Sequence, residues 1–451
     1  MSAAVSGVLA AEQAIPSPAL QRLVPLAPRP TTLVASGVPL QLLADLVLKF
    51  ISRLGPLNAT ALCERIALVN SVLEPVFLLL RREGCVDLQA RSGTEMCLVL
   101  SARGRDAAAE AWQRSGYLGP APVPIAVYER VVRAQSVHLG RSTRESMQAA
   151  FGDVVLEDDI RDRLGVALNS GRAILLHGPA GAGKTFIAAR LIHALAGEVL
   201  IPYAMLVDDT VVRVFDAATH KALELREGNP QLLYEQGFDA RFALCERPLV
   251  ICGGELTPEM LDVQYSAATR EYTAPLQLKA NNGLLLVDDL GRQRFPPEVL
   301  FNRWIVPMDR QVDYLTAAAG LHFAVPFDLV LVFSTNLDPA VLADEAILRR
   351  LGYKIAFKPL AVGLYQRVWA DACRDLRLNY EPALVDFVIS DLYPDSGHAL
   401  LACHPRDLLR MARDRSIFFE GTDHAIGPED LRWCWSNYFL NAAGTSTAAG
   451  D

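Results

Sequence analysis

A chain of 451 residues is too long for one compact domain, and at ~100–200 residues per domain it reads as two to four. Hydrophobic residues make up 51% and charged residues 21%, which excludes a largely disordered chain and allows sizeable buried cores. The formal net charge of −8 excludes a general attraction to nucleic acid, so any DNA contact would need a local basic patch.

Residues 1–38 are rich in Ala, Pro, Ser and Val, with Pro16, Pro18, Pro25, Pro28 and Pro30 breaking any helix, and read as a flexible arm. From Leu40, LQLLADLVLKFISRL places apolar residues at helical spacing. Two further helical stretches follow, NATALCERIAL and NSVLEPVFLLLRREG, then the alternating stretches CVDLQA and EMCLVL. Three helices and a hairpin is the order of a winged helix-turn-helix, assigned to residues 39–105. The would-be recognition helix, about Ser71 to Glu83, is mostly apolar, with basic residues only at Arg81 and Arg82. Asn70 is the one base-reading side chain near its start, which favours a protein-binding module over DNA contact. Residues 106–150 begin with a helical, charged stretch, and the cluster Gly119, Pro120, Pro122 and Pro124 then marks an extended linker.

Ala173–His177 is a short apolar run of the kind that forms a buried parallel strand. Gly178-Pro179-Ala180-Gly181-Ala182-Gly183-Lys184-Thr185 follows it and fits G-x-x-x-x-G-K-[ST]. Phe186 then opens an amphipathic helix that ends at Gly197, and it is counted with the nucleotide-contacting residues. Glycines let backbone N–H groups wrap phosphates where side chains would collide, and the helix points its positive end at them. Lys184 would place a charge on the β- and γ-phosphates of ATP, and Thr185 would help hold Mg²⁺.

Leu284–Val287 makes a second buried strand with Asp288 and Asp289 at its C-terminal end, where open α/β sheets bind ligands. Asp288 is the candidate for orienting Mg²⁺, and Asp289 for positioning or deprotonating the attacking water. A third strand, Leu329–Phe333, leads to Asn336, which can hydrogen-bond the γ-phosphate or that water. The segment 151–357 is the α/β nucleotide-binding core, 358–440 a helical lid and 441–451 an unstructured tail.

These features, in this order, resemble the AAA+ superfamily over about residues 151–440. The resemblance implies a P-loop ATPase core with a parallel sheet, a sensor 1 role for Asn336 and an arginine finger at Arg350, or second at Arg349. It also implies a sensor 2 role for Arg406 in His404-Pro405-Arg406-Asp407-Leu408 and an adenine contact at Phe151 and Gly152. The lead-in Leu278–Gly283 and a hairpin before the third strand are similar to MoxR-like ATPases, magnesium chelatases and bacterial enhancer-binding activators. Asp289 departs from the usual Glu, which shortens the catalytic carboxylate by one methylene. Asp-Asp also looks like helicase loaders and replication initiators. The segment from Pro202 to Leu278 is longer than usual and includes Cys252-Gly253-Gly254-Glu255; Tyr203 and Phe215 are aromatics that would suit pore contacts. The whole-chain pattern, with IPYAMLVDDTVVRVFDAATH, DDLGRQR and NRWIVP, resembles bacterial predicted ATPases with chaperone activity associated with Flp (tad) pilus assembly.

The cysteines, scattered from Cys63 to Cys434, have no metal or redox spacing and read as reduced thiols of a cytoplasmic protein. No apolar run approaches the ~20 residues of a membrane span, and the start lacks a basic n-region, so direct membrane insertion is not expected. The leading expectation is an ATP-hydrolysing remodelling or assembly factor, a homo-oligomeric ring of six subunits acting on a protein partner, with pilus or secretion machinery as the partner class. The alternative is a DNA-linked nucleotide switch, helicase-loader-like or a transcriptional regulator.

Overall fold

Apolar residues at helical spacing after Leu40 produce the helices Leu40–Leu54, Ala59–Ile66 and Asn70–Arg82. The computed structural model describes residues 24–91, 95–223, 238–317, 320–342, 344–394, 396–421 and 426–439. The second helix is started by Asn58, whose side chain accepts a hydrogen bond from the Ala61 N–H at 2.6 Å. Strands β1 (Leu57–Asn58), β2 (Val86–Arg91) and β3 (Glu95–Leu100) form an antiparallel sheet in the order β1-β3-β2. Helices and hairpin thus come in the expected order, around a core that includes Leu43, Leu62, Val72 and Val76.

Two expectations about the N-terminal third need correction. Residues 24–38 belong to the expected flexible arm, yet Thr32 caps the short helix Leu33–Ser36, and Ala27, Ser36 and Val38 are buried. Residues 1–23 and the expected tail 441–451 lie outside the described residues. The segment 106–150 is no extended linker either. It runs through most of the helix Ala102–Arg114 and through the helices Ile125–Ala134 and Arg144–Phe151. Arg114 forks onto Asp45 at 3.0 and 2.8 Å, and buried Lys49 donates to Tyr117 O at 2.6 Å. The proline stretch is extended but held, with Ala121 N–H on Ile66 O at 2.7 Å. Prolines exclude helix there, not burial.

The long segment after the P-loop helix builds a β insert. Strand β4 (Val123–Pro124) precedes β5 (Ala173–His177), and the insert follows with β6 (Val199–Pro202), β7 (Ala204–Val207), β8 (Thr210–Arg213) and β9 (Phe242–Cys245). After β10 (Leu249–Cys252) come β11 (Gln264–Ser266) and β12 (Glu271–Thr273). The insert sheet runs β11-β12-β8-β7-β4, and β6 pairs with β9 alongside. Its core takes Tyr128, Val131 and Val132 from the helix Ile125–Ala134, while Ala204, Leu206 and Val211 pack into the N-terminal unit. Arg241, exposed only 2%, pairs with Asp239 and donates to Ser36 O at 2.9 Å and Pro122 O at 3.2 Å. The rings of Tyr203 and Phe215 lie tilted to one another with centroids 5.2 Å apart, partly buried against the insert core, so they are packing residues here.

The central sheet is parallel, in the order β10-β13-β16-β5-β17, with β13 at Leu284–Val287, β16 at Val330–Thr335 and β17 at Leu351–Ala356. Residues of β13 and β16 are buried throughout, as expected for parallel strands covered on both faces. Strands β14 (Val312–Ala317) and β15 (Leu321–Pro326) form the expected hairpin just before β16. The lead-in to β13 is a buried polar junction. Asn281 donates to Tyr128 Oη and Pro326 O, and Asn282 to Val132 O. The lid is made of the helices Val362–Leu376, Pro382–Phe387, His404–Glu420 and Pro428–Tyr438, with their own core around Tyr365, Trp369 and Leu408. An α/β core built on a five-stranded parallel sheet, followed by a separate helical unit, is therefore the observed fold class. No helix among the described residues is long and apolar enough to cross a membrane.

Candidate nucleotide site

The strand order decides the site. Because β16 lies between β5 and β13, Asn336 just beyond its end stands between the P-loop and the acidic pair. The loop from Gly178 to Gly183 leaves β5 with Gly178 at φ +139°, Gly181 at +80° and Gly183 at +90°. The helix that follows, Lys184–Arg190, is shorter than expected and tightens to a 3-10 turn over Leu191–Ala194.

Lys184 Nζ donates to Gly178 O at 2.9 Å, Pro179 O at 2.8 Å and Asn336 Oδ1 at 2.7 Å. Burial lowers the lysine's pKa, while the nearby carboxylates of Asp289 and Asp288 act the other way. Asn336 Nδ2 donates to Asp289 Oδ1 at 3.3 Å. Thr185 Oγ1 lies 2.9 Å from both Asp288 carboxylate oxygens. A hydroxyl and a carboxylate converging this closely form a hard-oxygen donor set that suits Mg²⁺. Asp289 itself has φ +48°, which turns the chain sharply after Asp288.

The remaining candidates are placed less centrally. Phe151 is only 1% exposed and packs in the core with Leu164, Ile174 and Ile187, so its ring presents no face to an adenine. The segment around exposed Gly152 is nonetheless tied to the P-loop helix, since Arg190 donates to Ala150 O at 2.9 Å and pairs with Asp153. Phe186 is 56% exposed. Arg350 pairs with Asp309 at 3.0 Å and caps its own helix at Ala346 O, while Arg349 is exposed. Among the described contacts neither arginine touches the P-loop of its own chain. Arg406 pairs with Asp375 at 3.6 Å, with its side chain half exposed.

Cys403 is absent from the expected set. Its N–H donates to Gly181 O at 3.1 Å, so the lid docks on the P-loop one residue before the helix that carries Arg406. Burial raises the Cys403 thiol pKa, and Tyr438 Oη sits 3.8 Å from its sulfur. Nothing local in the sequence marks this contact, which joins segments far apart in the chain. All eight cysteines are free, six of them buried.

Comparisons with known proteins add little beyond this geometry. The profile of a family described as Domain of unknown function (DUF8689) matches residues 362–437, which lie within the lid. No curated protein matches the chain. Among solved structures, NtrX from Brucella abortus is similar at 14% identity and a TM-score of 0.39, with 66% of this chain and 59% of that one covered. The Holliday junction branch migration motor RuvB of Thermotoga maritima is similar at 13% identity and a TM-score of 0.34, with 62% and 68% covered. Domain III of the Thermotoga maritima replication initiation protein DnaA matches at 10% identity and a TM-score of 0.35, with 66% and 99% covered. The chain thus spans under two thirds of NtrX. Likenesses this distant carry no activity or partner to this chain.

Proposed function

We propose that this chain is an AAA+ ATPase that works as a homo-oligomeric remodelling or assembly factor on a protein partner. The observation that carries the reading is the continuous polar chain Lys184–Asn336–Asp289, with Thr185 on Asp288 beside it. ATP phosphates would take over the Lys184 ammonium from the carbonyls of Gly178 and Pro179. Thr185 and Asp288 would hold Mg²⁺, which neutralises phosphate charge when bound. Asp289 would accept the proton of the attacking water, held in place by Asn336. Arg406 would reach the γ-phosphate from the lid, and Arg350 would serve the site of a neighbouring subunit.

A protein partner is favoured over DNA by the exposed side of the helix Asn70–Arg82. There Glu74, Pro75 and Leu78 face solvent, with the exposed basic residues Arg81 and Arg82 confined to the last turn, and a carboxylate near the helix start repels phosphate. The pilus or secretion class of partner rests on the sequence resemblance alone. The test is ATP hydrolysis per subunit against protein concentration, for wild type, Lys184→Ala and Arg350→Ala. The reading expects wild-type activity to climb with concentration, a silent Lys184→Ala, and an Arg350→Ala that binds ATP but does not turn it over. Tight ATP binding without hydrolysis at any concentration would replace it with the DNA-linked switch. Unchanged turnover in Arg350→Ala would remove the finger assignment.

A further inference from the structure

The loop after the acidic strand is held by one side chain that the nucleotide reading does not use. Gln293 Oε1 accepts the Gly291 N–H at 2.9 Å. Its Nε2 donates toward Asp288 O at 3.1 Å, Gly253 O at 3.3 Å and Asp289 O at 3.4 Å. A single amide therefore gathers the carbonyls at the tips of two adjacent strands, β10 and β13. The backbone it fixes is unusual, with Asp289 at φ +48° and Gly291 at φ +100°. Leu290 completes the clamp, its N–H on Ser334 O at 2.7 Å and its carbonyl taking the Thr335 hydroxyl at 2.8 Å.

We propose that Gln293 is the positioning residue of this site, resting on the ATPase reading above. It holds the Asp288–Asp289 backbone so that one carboxylate stays on Thr185 and the other on Asn336. It also makes the Gly253-Gly254-Glu255 turn part of the site. Glu255 folds back onto the Gly253 N–H at 2.9 Å, and the Gly253 carbonyl is the one Gln293 holds. A contact that displaces this exposed turn would pull on Gln293, and through it on Asp289. The turn is thereby the place where a bound partner would change turnover without touching nucleotide.

The experiment measures kcat and KM for Mg²⁺-ATP, affinity for a fluorescent ATP analogue and the melting temperature of the full chain. The variants are Gln293→Leu, which removes donor and acceptor, and Gln293→Glu, which keeps the acceptor for Gly291 and loses the donor. Partners that orient a reacting group typically change activity about 10–100-fold, so kcat should fall by that factor while KM and analogue affinity hold. Wild-type kcat in both variants overturns the proposal. So does a Gln293→Glu that loses analogue affinity and melting temperature together, since that marks a general structural contact. If Gln293→Leu does not fold, Gln293→Glu alone decides. A wild type no more active than Lys184→Ala is a different result: it removes the ATPase reading first, and the role of Gln293 with it.

Discussion

Replacing Gly178 and Gly183 one at a time by alanine separates what the P-loop glycines do for the fold from what they do for the ligand. At Gly178 a Cβ would stand 2.2 Å from Phe357 O, a backbone atom. That carbonyl cannot easily withdraw, because the Phe357 N–H is bonded to His177 O at 2.8 Å where β17 runs beside β5. The left-handed φ of +139° adds strain of about 1–3 kcal/mol, and forcing apart packed backbone adds about 1–3 kcal/mol more. Gly178→Ala should therefore cost about 2–6 kcal/mol, a large part of the ~5–15 kcal/mol typical of a domain. At Gly183 the added Cβ meets only Ala402 Cβ at 3.8 Å, an ordinary contact, so the strain of about 1–3 kcal/mol stands alone. Urea unfolding without nucleotide, followed by near-UV circular dichroism, should place the Gly178→Ala midpoint below that of Gly183→Ala. Coincident midpoints would refute the reasoning that the Phe357 carbonyl leaves no room for a Cβ at Gly178.

Arg241→Ala should destabilise the protein by about 3–5 kcal/mol, because it leaves the buried Asp239 carboxylate without its partner. Replacing the pair by Arg241→Met with Asp239→Leu should recover most of that loss in the same denaturation assay; equal losses would show that the charge pairing is not the cause. His404 is buried against Tyr393 and its pKa is lowered from 6.5 to about 4 by burial. The unfolded chain therefore binds the extra proton between these values, so stability is full above pH 6.5 and is lost as pH falls toward 4. Melting curves of wild type between about pH 7 and about pH 5 should show this loss, and His404→Gln should flatten it; an unchanged acid slope in the variant would contradict the assignment.

What could be read in the sequence was local. The P-loop glycines, Lys184 and Thr185 lie within eight consecutive residues, and the two acidic residues end an apolar run, so spacing alone identifies them. The hairpin before β16 is equally legible, since its alternation is a property of the segment itself. The elements misread are those whose state depends on distant partners. Ala27, Ser36 and Val38 are buried where the insert and the three-helix unit meet them, with Arg241 on Ser36 O and the Asp239 N–H on Ala27 O. The 106–150 region is fixed by distant partners that include Asp45, Ile66 and Leu200. Analogy places Phe151 at the adenine, but a large apolar ring beside a core is drawn inward by burial. Gln293 carries no signature at all, because a glutamine becomes a clamp only when three carbonyls arrive around it.

The hairpin β14–β15 has a mechanical consequence. One of its faces is exposed at Tyr314, while Leu315, Ala317, Phe323 and Val325 are sunk in the same core as β6, β9 and the helix Ile125–Ala134. It cannot swing as a free finger. On the function proposed above, a stroke that begins at the acidic pair would turn the hairpin and the insert together, because they share one core. Since Leu206 and Val211 root the insert in the N-terminal helices, the three-helix unit would ride on it like a load bolted to a crank.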